Sequence, residues 1–405
     1  MDVLFLSPNY PPEMPQFTRG LAEVGARVYG VGDTPKEALD PVARAHLHDY
    51  LQVRSLMDEA DVMERCTRWM RGRSVDRVLC SWEPLVLLAA RLRERWGIPG
   101  MSLDQVNGFR DKQIMKERVA AAGLRVPHSA RVRSARDAWE AAERIGFPLI
   151  IKPIAGAGSA DTFRVDNAKA MDDALVRLTR VPEAIVEEFI EGEEYTYDTI
   201  CINGKPVYEN VVQYMPRPLI MRTQEWISPI QLTVRDLERP DVRPGIELGR
   251  GVLSALGMGT GYTHMEWYLT RSGEAIFGEI ACRNGGACLV DQMNFTSDID
   301  LYREWARASC WDHFEAVSPR LYNVACIFKR ARGRGRIQRI DGKEAFFQKY
   351  GSHVVRDALL PVGAMRRDWT QTLLSDGYLL LRHPDWNEAL KMAQTAAHDI
   401  QLSAQ

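Results

Sequence analysis

The sequence predicts two differently built parts: an α/β N-terminal domain with a Rossmann-like parallel sheet, followed by an α+β portion carrying antiparallel sheets. Three observations carry this expectation. The chain opens strand, helix, strand, the order that builds a parallel sheet with helices on its faces. Beyond about residue 190, alternating segments are joined by tight-turn signals at Asn203-Gly204 and Ser272-Gly273, as antiparallel hairpins require. A length of 405 residues leaves room for two or three domains at roughly 150 residues each.

The first strand is Val3 to Leu6, ended by Ser7-Pro8; a helix follows over Phe17 to Glu23, then a strand over Ala26 to Val31. Val75 to Cys80 and Ile98 to Gly100 continue the pattern around a helix from Leu85 to Arg95. Asp111 to Ala122 is a helix with Lys112 in its first turn, closed by Gly123. Ala135 to Ile145 is another, stopped by Gly146-Phe147-Pro148. Leu149 to Val165 reads as strand, glycine-rich loop and strand, followed by a helix over Ala168 to Leu178. Strands are expected at Ala184 to Phe189, Glu194 to Ile202, Val207 to Val212, Gly261 to Leu269 and Ala275 to Ile280, with a helix at Gly245 to Leu256. From Leu321 onward, strands and turns alternate before a final helix over Trp386 to Gln401.

Composition removes several classes. With 52 basic and 54 acidic residues the net charge is -2, which argues against a polyanion as the main partner. The longest apolar run, Leu85 to Ala90, falls far short of the roughly 18–20 residues of a membrane helix. The N-terminus lacks a basic start and a long apolar stretch, so no signal peptide is expected. Seven scattered cysteines without a C-x-x-C pair fit a reduced, cytoplasmic compartment and no zinc site. No G-x-G-x-x-G follows the first strand, which disfavours a dinucleotide there. The charge is uneven: six acids lie between Glu183 and Glu194, and twelve bases against three acids between Arg320 and Arg367. Arg-Gly spacing in Lys329 to Arg339 can bind RNA, but the run has no aromatic residue for base stacking, so a solvated or substrate-facing edge is expected.

Three features bear chemistry. Gly156, Gly158 and Ser159 follow a strand carrying Lys152; small residues let backbone N–H groups approach a phosphate, although a plain hairpin has the same composition. Glu187 to Asp198 places an acid pair, an apolar pair and then Gly-Glu-Glu after a strand, either a functional hinge or a solvated acidic turn. Glu266 and Glu279 lie thirteen apart on two strands joined by a tight turn, which brings both carboxylates to one end of adjacent strands. Without His or Cys partners they form a hard oxygen pair suited to Mg2+ held against phosphates, and Arg283 can neutralise an oxyanion; a surface ion-pair group is the alternative.

The order of these features resembles the ATP-grasp superfamily over about Asp111 to Leu289, and the wording GYTHMEW…FGEIACR is similar to L-amino acid ligases of the bacilysin type and related carboxylate–amine ligases. The resemblance implies an ATP-grasp fold and ATP as ligand. It implies that Lys112 and Lys152 are the two ATP lysines, and that Gly156, Gly158 and Ser159 form the phosphate loop. Glu187, Glu188, Phe189 and Ile190 match the adenine hinge, and Glu194 the ribose acid. Glu266 and Glu279 match the metal glutamates for Mg2+, with Mn2+ as a substitute, and Arg283 the arginine beside the transferred phosphate. The position of a frequent third metal ligand is Ala281. His264 either serves the substrate site, including the incoming amine, or is a satisfied strand histidine; Arg222 is assigned to a substrate carboxylate or to a solvated loop. Cys282 and Cys288 read as packing, and Ser7 to Phe17 as a loop that reaches the site or is structural.

The implied activity is an ADP-forming ligase acting through an acyl phosphate on small-molecule carboxylate and amine substrates. The alternatives are a biotin-carboxylase-like or nucleotide-precursor enzyme using carboxyphosphate, and a nucleotide-binding protein without catalysis. The expected division is residues 1–108 (N-terminal domain), 109–190 (central subdomain), 191–318 (catalytic subdomain) and 319–405 (β-rich extension). No nucleic acid or membrane partner is expected, and a homodimer is left open.

Overall fold

The computed structural model describes residues 1–154, 161–179, 181–316, 319–372 and 374–405. Its first sheet is parallel, in the order β3-β2-β1-β4, with β1 at Asp2–Leu6, β2 at Arg27–Gly32, β3 at Asp49–Gln52 and β4 at Arg77–Cys80. β1 is buried along its whole length, as the centre of a sheet covered by helices on both faces must be.

Two sequence expectations need correction here. Ile98 to Gly100 is irregular chain: Gly97, at φ 64, ends the helix Val86–Trp96, and Pro99 and Gly100, at φ 145, follow at once. The fourth strand is instead β3, an edge strand whose half-exposed residues carry no clear alternation. A short helix, Leu103–Gly108, was also not anticipated; Ser102 and Gln105 form its capping box. The first helix runs from Met14, three residues earlier than its apolar pattern indicates, because Pro15 is accommodated in its first turn.

A second sheet, β5-β8-β6-β7, joins β5 (Ser129–Val132), β6 (Leu149–Pro153), β7 (Phe163–Val165) and β8 (Ala184–Glu188). The helices Ala135–Ile145 and Ala168–Arg177 close its core through Ala138, Ala142, Met171 and Ala174.

The third sheet has eight strands, in the order β13-β12-β9-β10-β11-β14-β18-β17. Its members are β9 (Glu193–Ile202), β10 (Lys205–Met215), β11 (Ile230–Thr233), β12 (Gly261–Leu269), β13 (Ala275–Ala281), β14 (Asn323–Phe328), β17 (Val354–Asp357) and β18 (Tyr378–His383). The short strands β15 (Arg332–Gly333), β16 (Ile337–Asp341) and β19 (Gln401–Ala404) form a small separate sheet. After residue 320, β14, β17 and β18 therefore continue the sheet that carries Glu266 and Glu279.

The helix Arg243–Ala255 lies against one face of this large sheet. A Cβ at Gly245 would stand 2.1 Å from the Trp267 ring, and one at Gly249 2.2 Å from the Tyr197 ring. Those glycines let the helix backbone sit directly on two buried aromatics. Alternation then sends Glu194, Thr196, Asp198, His264 and Glu266 to the other face, away from the Tyr195–Tyr197–Trp267 core. Gly245→Ala should overpack this contact and lower stability by about 1–3 kcal/mol, despite the better helix propensity of alanine. Thermal denaturation checks it; a variant as stable as the parent would show that the contact can relax.

Candidate functional site

Two cavities meet beside the eight-stranded sheet, the narrower of them against β6 and β8 of the four-stranded antiparallel sheet. The narrower, about 60 Å3, is lined by Lys152, Glu187, Phe189, Ile190 and Glu194, and it borders an open groove of about 910 Å3 that shares Phe189 and Arg217. The larger, about 310 Å3, is lined by Arg222, His264, Arg283 and Arg330 among others. Lys112, Glu266 and Glu279 line both, so they stand where the two cavities join.

Local structure explains how these side chains converge. Asp111 caps the helix Lys112–Ala121, accepting from the amides of Gln113 and Ile114 while Arg131 grips its carboxylate at 2.6 Å. That fixes the helix N-terminus and points Lys112 inward, with Nζ 3.4 Å from Glu279. Lys116, one turn later on the same face, ion-pairs with Glu187 at 2.8 Å and donates to the Gly278 carbonyl at 3.0 Å. Lys152, on β6, is paired with Ile185 of β8, two residues from Glu187, and its ammonium reaches both Glu187 (3.1 Å) and Glu279 (3.6 Å). Glu266 and Glu279 are direct cross-strand partners, next to a bulge between Glu266 and Trp267.

The electrostatics follow from this layout. Burial would raise the Glu279 carboxyl, but Lys112, Lys152 and Lys116 outweigh it and hold it well below the usual carboxylate range. Glu266 is driven the other way, upward, by burial and by the neighbouring Glu279 charge. Two carboxylates facing each other with one destabilised in its charged form is the electrostatic signature of a place for a cation. Among the described residues no group of three or more His, Cys, Asp or Glu forms a metal cage, so a divalent ion here would need further oxygens from a substrate. Two carboxylates plus phosphate oxygens are the donor set Mg2+ takes, and the residues present fit it.

His264 is bonded through Nδ1 to Asp198 at 2.6 Å, with Nε2 3.9 Å from Glu266. Burial works against its charged form, yet Asp198 more than compensates and shifts the ring toward protonation. Arg283 donates to Glu83, just after β4 of the parallel sheet, at 2.6 Å, and Arg110 pairs with the same carboxylate, so one acid orients two cations. Glu194 pairs with Arg217 at 3.1 Å, and the Arg217 guanidinium lies 5.0 Å from the Phe189 ring centre and 4.8 Å from that of Tyr268.

Lys112, Lys152, Phe189, Ile190, Glu194, Glu266 and Glu279 thus converge, and His264, Arg222 and Arg283 line the adjoining cavity. Glu187 and Glu188 need a finer description. Both also line the narrower cavity, but their carboxylates are engaged: Glu187 is buried in its lysine pairs, and Glu188 is held by Arg125 at 2.9 Å and by the His128 amide. Gly156, Gly158 and Ser159 lie outside the described residues. Ala281 lines the larger cavity, and the nearby Asn284 does not replace it: its side chain is committed to Ser81 and Gly285.

The basic run is split by burial, not spread on one solvated face. Lys329 is buried, donates to the carbonyls of Ala396 and Ala397 at the end of the helix Trp386–Asp399, and is pulled down to about 8 by burial. Arg330 turns into the larger cavity, and Arg339 pairs with Asp341. Lys116, Asp198, Arg217 and Glu83 were not singled out from sequence. The four-residue step from Lys112 to Lys116 and the two-residue step through Glu194, Thr196 and Asp198 were available signals; Arg217 and Glu83 carry none.

Residues 145–291 match the family described as ATP-grasp domain. An L-arginine-specific L-amino acid ligase of Bacillus subtilis is 27% identical over 234 residues, covering 56% of this chain and 56% of that protein. An alanine–anticapsin ligase of Bacillus subtilis (strain 168) is 24% identical over 262 residues, covering 60% of this chain and 56% of that protein. The chain thus spans little more than half the length of these relatives. The crystal structure of an L-amino acid ligase from Bacillus licheniformis superposes with a TM-score of 0.80 at 18% identity, over 100% of this chain and 98% of that one. Residues 145–291 thus carry the match to an ATP-grasp domain, on the segment that holds Lys152, Glu194, Glu266, Glu279 and Arg283, and the fold of the whole chain is that of the Bacillus licheniformis L-amino acid ligase structure.

Proposed function

We propose that this protein is an ATP-dependent, ADP-forming carboxylate–amine ligase that joins amino acids or other small acids to an amine. The observation that carries the reading is the junction of the two cavities at Lys112, Glu266 and Glu279. A nucleotide entering from one side and an organic acid from the other would meet at a centre already built for phosphate and cation.

In this reading Phe189 and Ile190 cover the base, Glu194 takes the ribose hydroxyls, and Lys112 and Lys152 bind the phosphates. Glu266 and Glu279 would hold magnesium, which when bound offsets phosphate charge as the γ-phosphoryl group moves. A substrate carboxylate oxygen attacks the γ-phosphorus, the bond to the ADP oxygen breaks, and an acyl phosphate results. The amine then attacks the acyl carbon; inorganic phosphate leaves and the nitrogen loses a proton. Arg283, fixed by Glu83, faces the charge that develops on the acyl phosphate oxygens. His264, biased toward its charged form by Asp198, contributes an oriented cation beside Glu266 in place of a ready base. The chain needs no nucleophile of its own; its contribution is position and charge.

The test is phosphate release from ATP across a matrix of amino acids and small carboxylates, each offered with amine partners. Release that requires both an acid and an amine, with amide detected by mass, is expected. Release stimulated by bicarbonate in place of an acid would move the protein to the carboxyphosphate class, and tight ATP binding with no release under any pairing would leave it a nucleotide binder.

A further inference from the structure

On the ligase reading, the larger cavity must hold both the carboxylate to be activated and the amine that attacks it. Four arginines line it, and they fall into two classes. Arg110 and Arg283 share the carboxylate of Glu83. Arg222 and Arg330, both partly buried, have no carboxylate partner among the described residues.

Arg330 is nevertheless held firmly. It donates to the carbonyls of Met221 (2.9 Å) and Gln224 (2.8 Å), and its guanidinium lies 4.5 Å from the ring centre of Trp369. Those neutral partners orient the charge without cancelling it. The acids nearest in space are engaged elsewhere: Glu225 pairs with Arg366 at 2.8 Å, and Asp376 accepts from the amides of Ala331 (2.7 Å) and Arg367 (2.6 Å). Arg222 follows directly on the short helix whose last carbonyl, that of Met221, Arg330 holds, so the two guanidinium groups are brought to one cavity by a shared support. Burial, together with the Arg222 charge, pulls Arg330 down to about 10, and burial lowers Arg222 as well. A pair of half-desolvated like charges in a cavity is unfavourable until an anion fills the space between them. A planar guanidinium matches a carboxylate through two parallel hydrogen bonds, which makes that anion the natural occupant.

We propose that Arg222 and Arg330 form a carboxylate-binding subsite, so that one of the two substrates carries a free carboxylate in addition to its reacting group. The source is either the amine partner, as its own carboxylate, or the acid partner, as a second one. This gives the basic segment after residue 320 a role: it supplies Arg330 to the reaction cavity through β14, a strand of the same sheet that bears Glu266.

Calorimetric titration in the presence of ADP and Mg2+ separates the sources. One arm compares alanyl-alanine and free amino acids with their carboxamides. The other compares dicarboxylic acids with monocarboxylic acids of equal length. In one arm the extra carboxylate should tighten binding about ten- to a hundredfold. Arg222→Gln, which removes no side-chain bond seen among the described residues, should erase that preference while leaving ADP affinity unchanged, and Arg222→Lys should restore part of it. No preference in either arm, or an equal loss for carboxylate and carboxamide in Arg222→Gln, overturns the subsite. Because binding is read without turnover, carboxylate recognition in a protein that makes no amide would dispose of the ligase reading and retain the subsite.

Discussion

Glu279→Gln is expected to lower ATP-dependent turnover by at least about a hundredfold while the protein stays folded. Glu279 lies within reach of both Lys112 and Lys152, and it faces Glu266 directly across the β12–β13 pair. The lysines keep it ionised against the cost of burial. Glutamine keeps the shape and one carbonyl oxygen but removes the charge, so the cation that Glu266 and Glu279 would share loses half of its protein-borne neutralisation. The side chain is 26% exposed, so an amide there strands no deeply buried group. Phosphate release and a melting curve, measured on the same preparation, check both halves of the statement. Turnover within a factor of about two of the parent would remove Glu279 from the reaction centre, because a metal-bearing carboxylate cannot be that dispensable.

Lys116→Met is expected to cost stability, at about 3–5 kcal/mol, because it removes one partner of a buried ion pair. Lys116 and Glu187 are respectively 2% and 4% exposed, and the ammonium also satisfies the Gly278 carbonyl. Burial opposes the charge on both: for Glu187 the two lysines outweigh it and hold the carboxyl down, whereas for Lys116 burial prevails and lowers the ammonium, with Glu187 as its main counterweight; Lys152 also gives Glu187 a second partner, which places the loss toward the lower end. The double variant Lys116→Met/Glu187→Leu should recover much of the loss, since an apolar pair of similar size fills the same space without a stranded charge. Denaturant midpoints for the two single variants and the double decide it. A Lys116→Met protein as stable as the parent would mean that the pair is open to water. The two predictions also separate roles: Glu279 sits at the cavity junction and should govern rate, whereas Lys116 lies beneath it and should govern stability.

Much of the candidate site is legible in the sequence because the residues that converge there sit on regular elements with short connections. Glu266 and Glu279 are joined by a tight turn, so their spacing alone predicts that they face each other, and they do. Lys112 in the first helical turn and Lys152 near a strand end are similarly constrained by local geometry. The misassigned strand at Ile98 to Gly100 and the unseen β3 show the opposite case: a three-residue apolar stretch among glycines has no periodicity to read, and an edge strand exposed on one side has too little.

Most of the element order, the parallel-then-antiparallel architecture and the residues that alternation and helical spacing align are written in local sequence. Which charges cancel depends on how the chain packs. Lys116 and Glu187 are far apart in sequence, as are Arg283 and Glu83, and no local pattern distinguishes them from solvated side chains. The same holds within the basic segment, where neighbouring residues Lys329 and Arg330 end in a helix cap and in the larger cavity. Coulomb energy depends on separation in space and on exclusion of water, and both are properties of how the sheets pack, not of spacing along the chain.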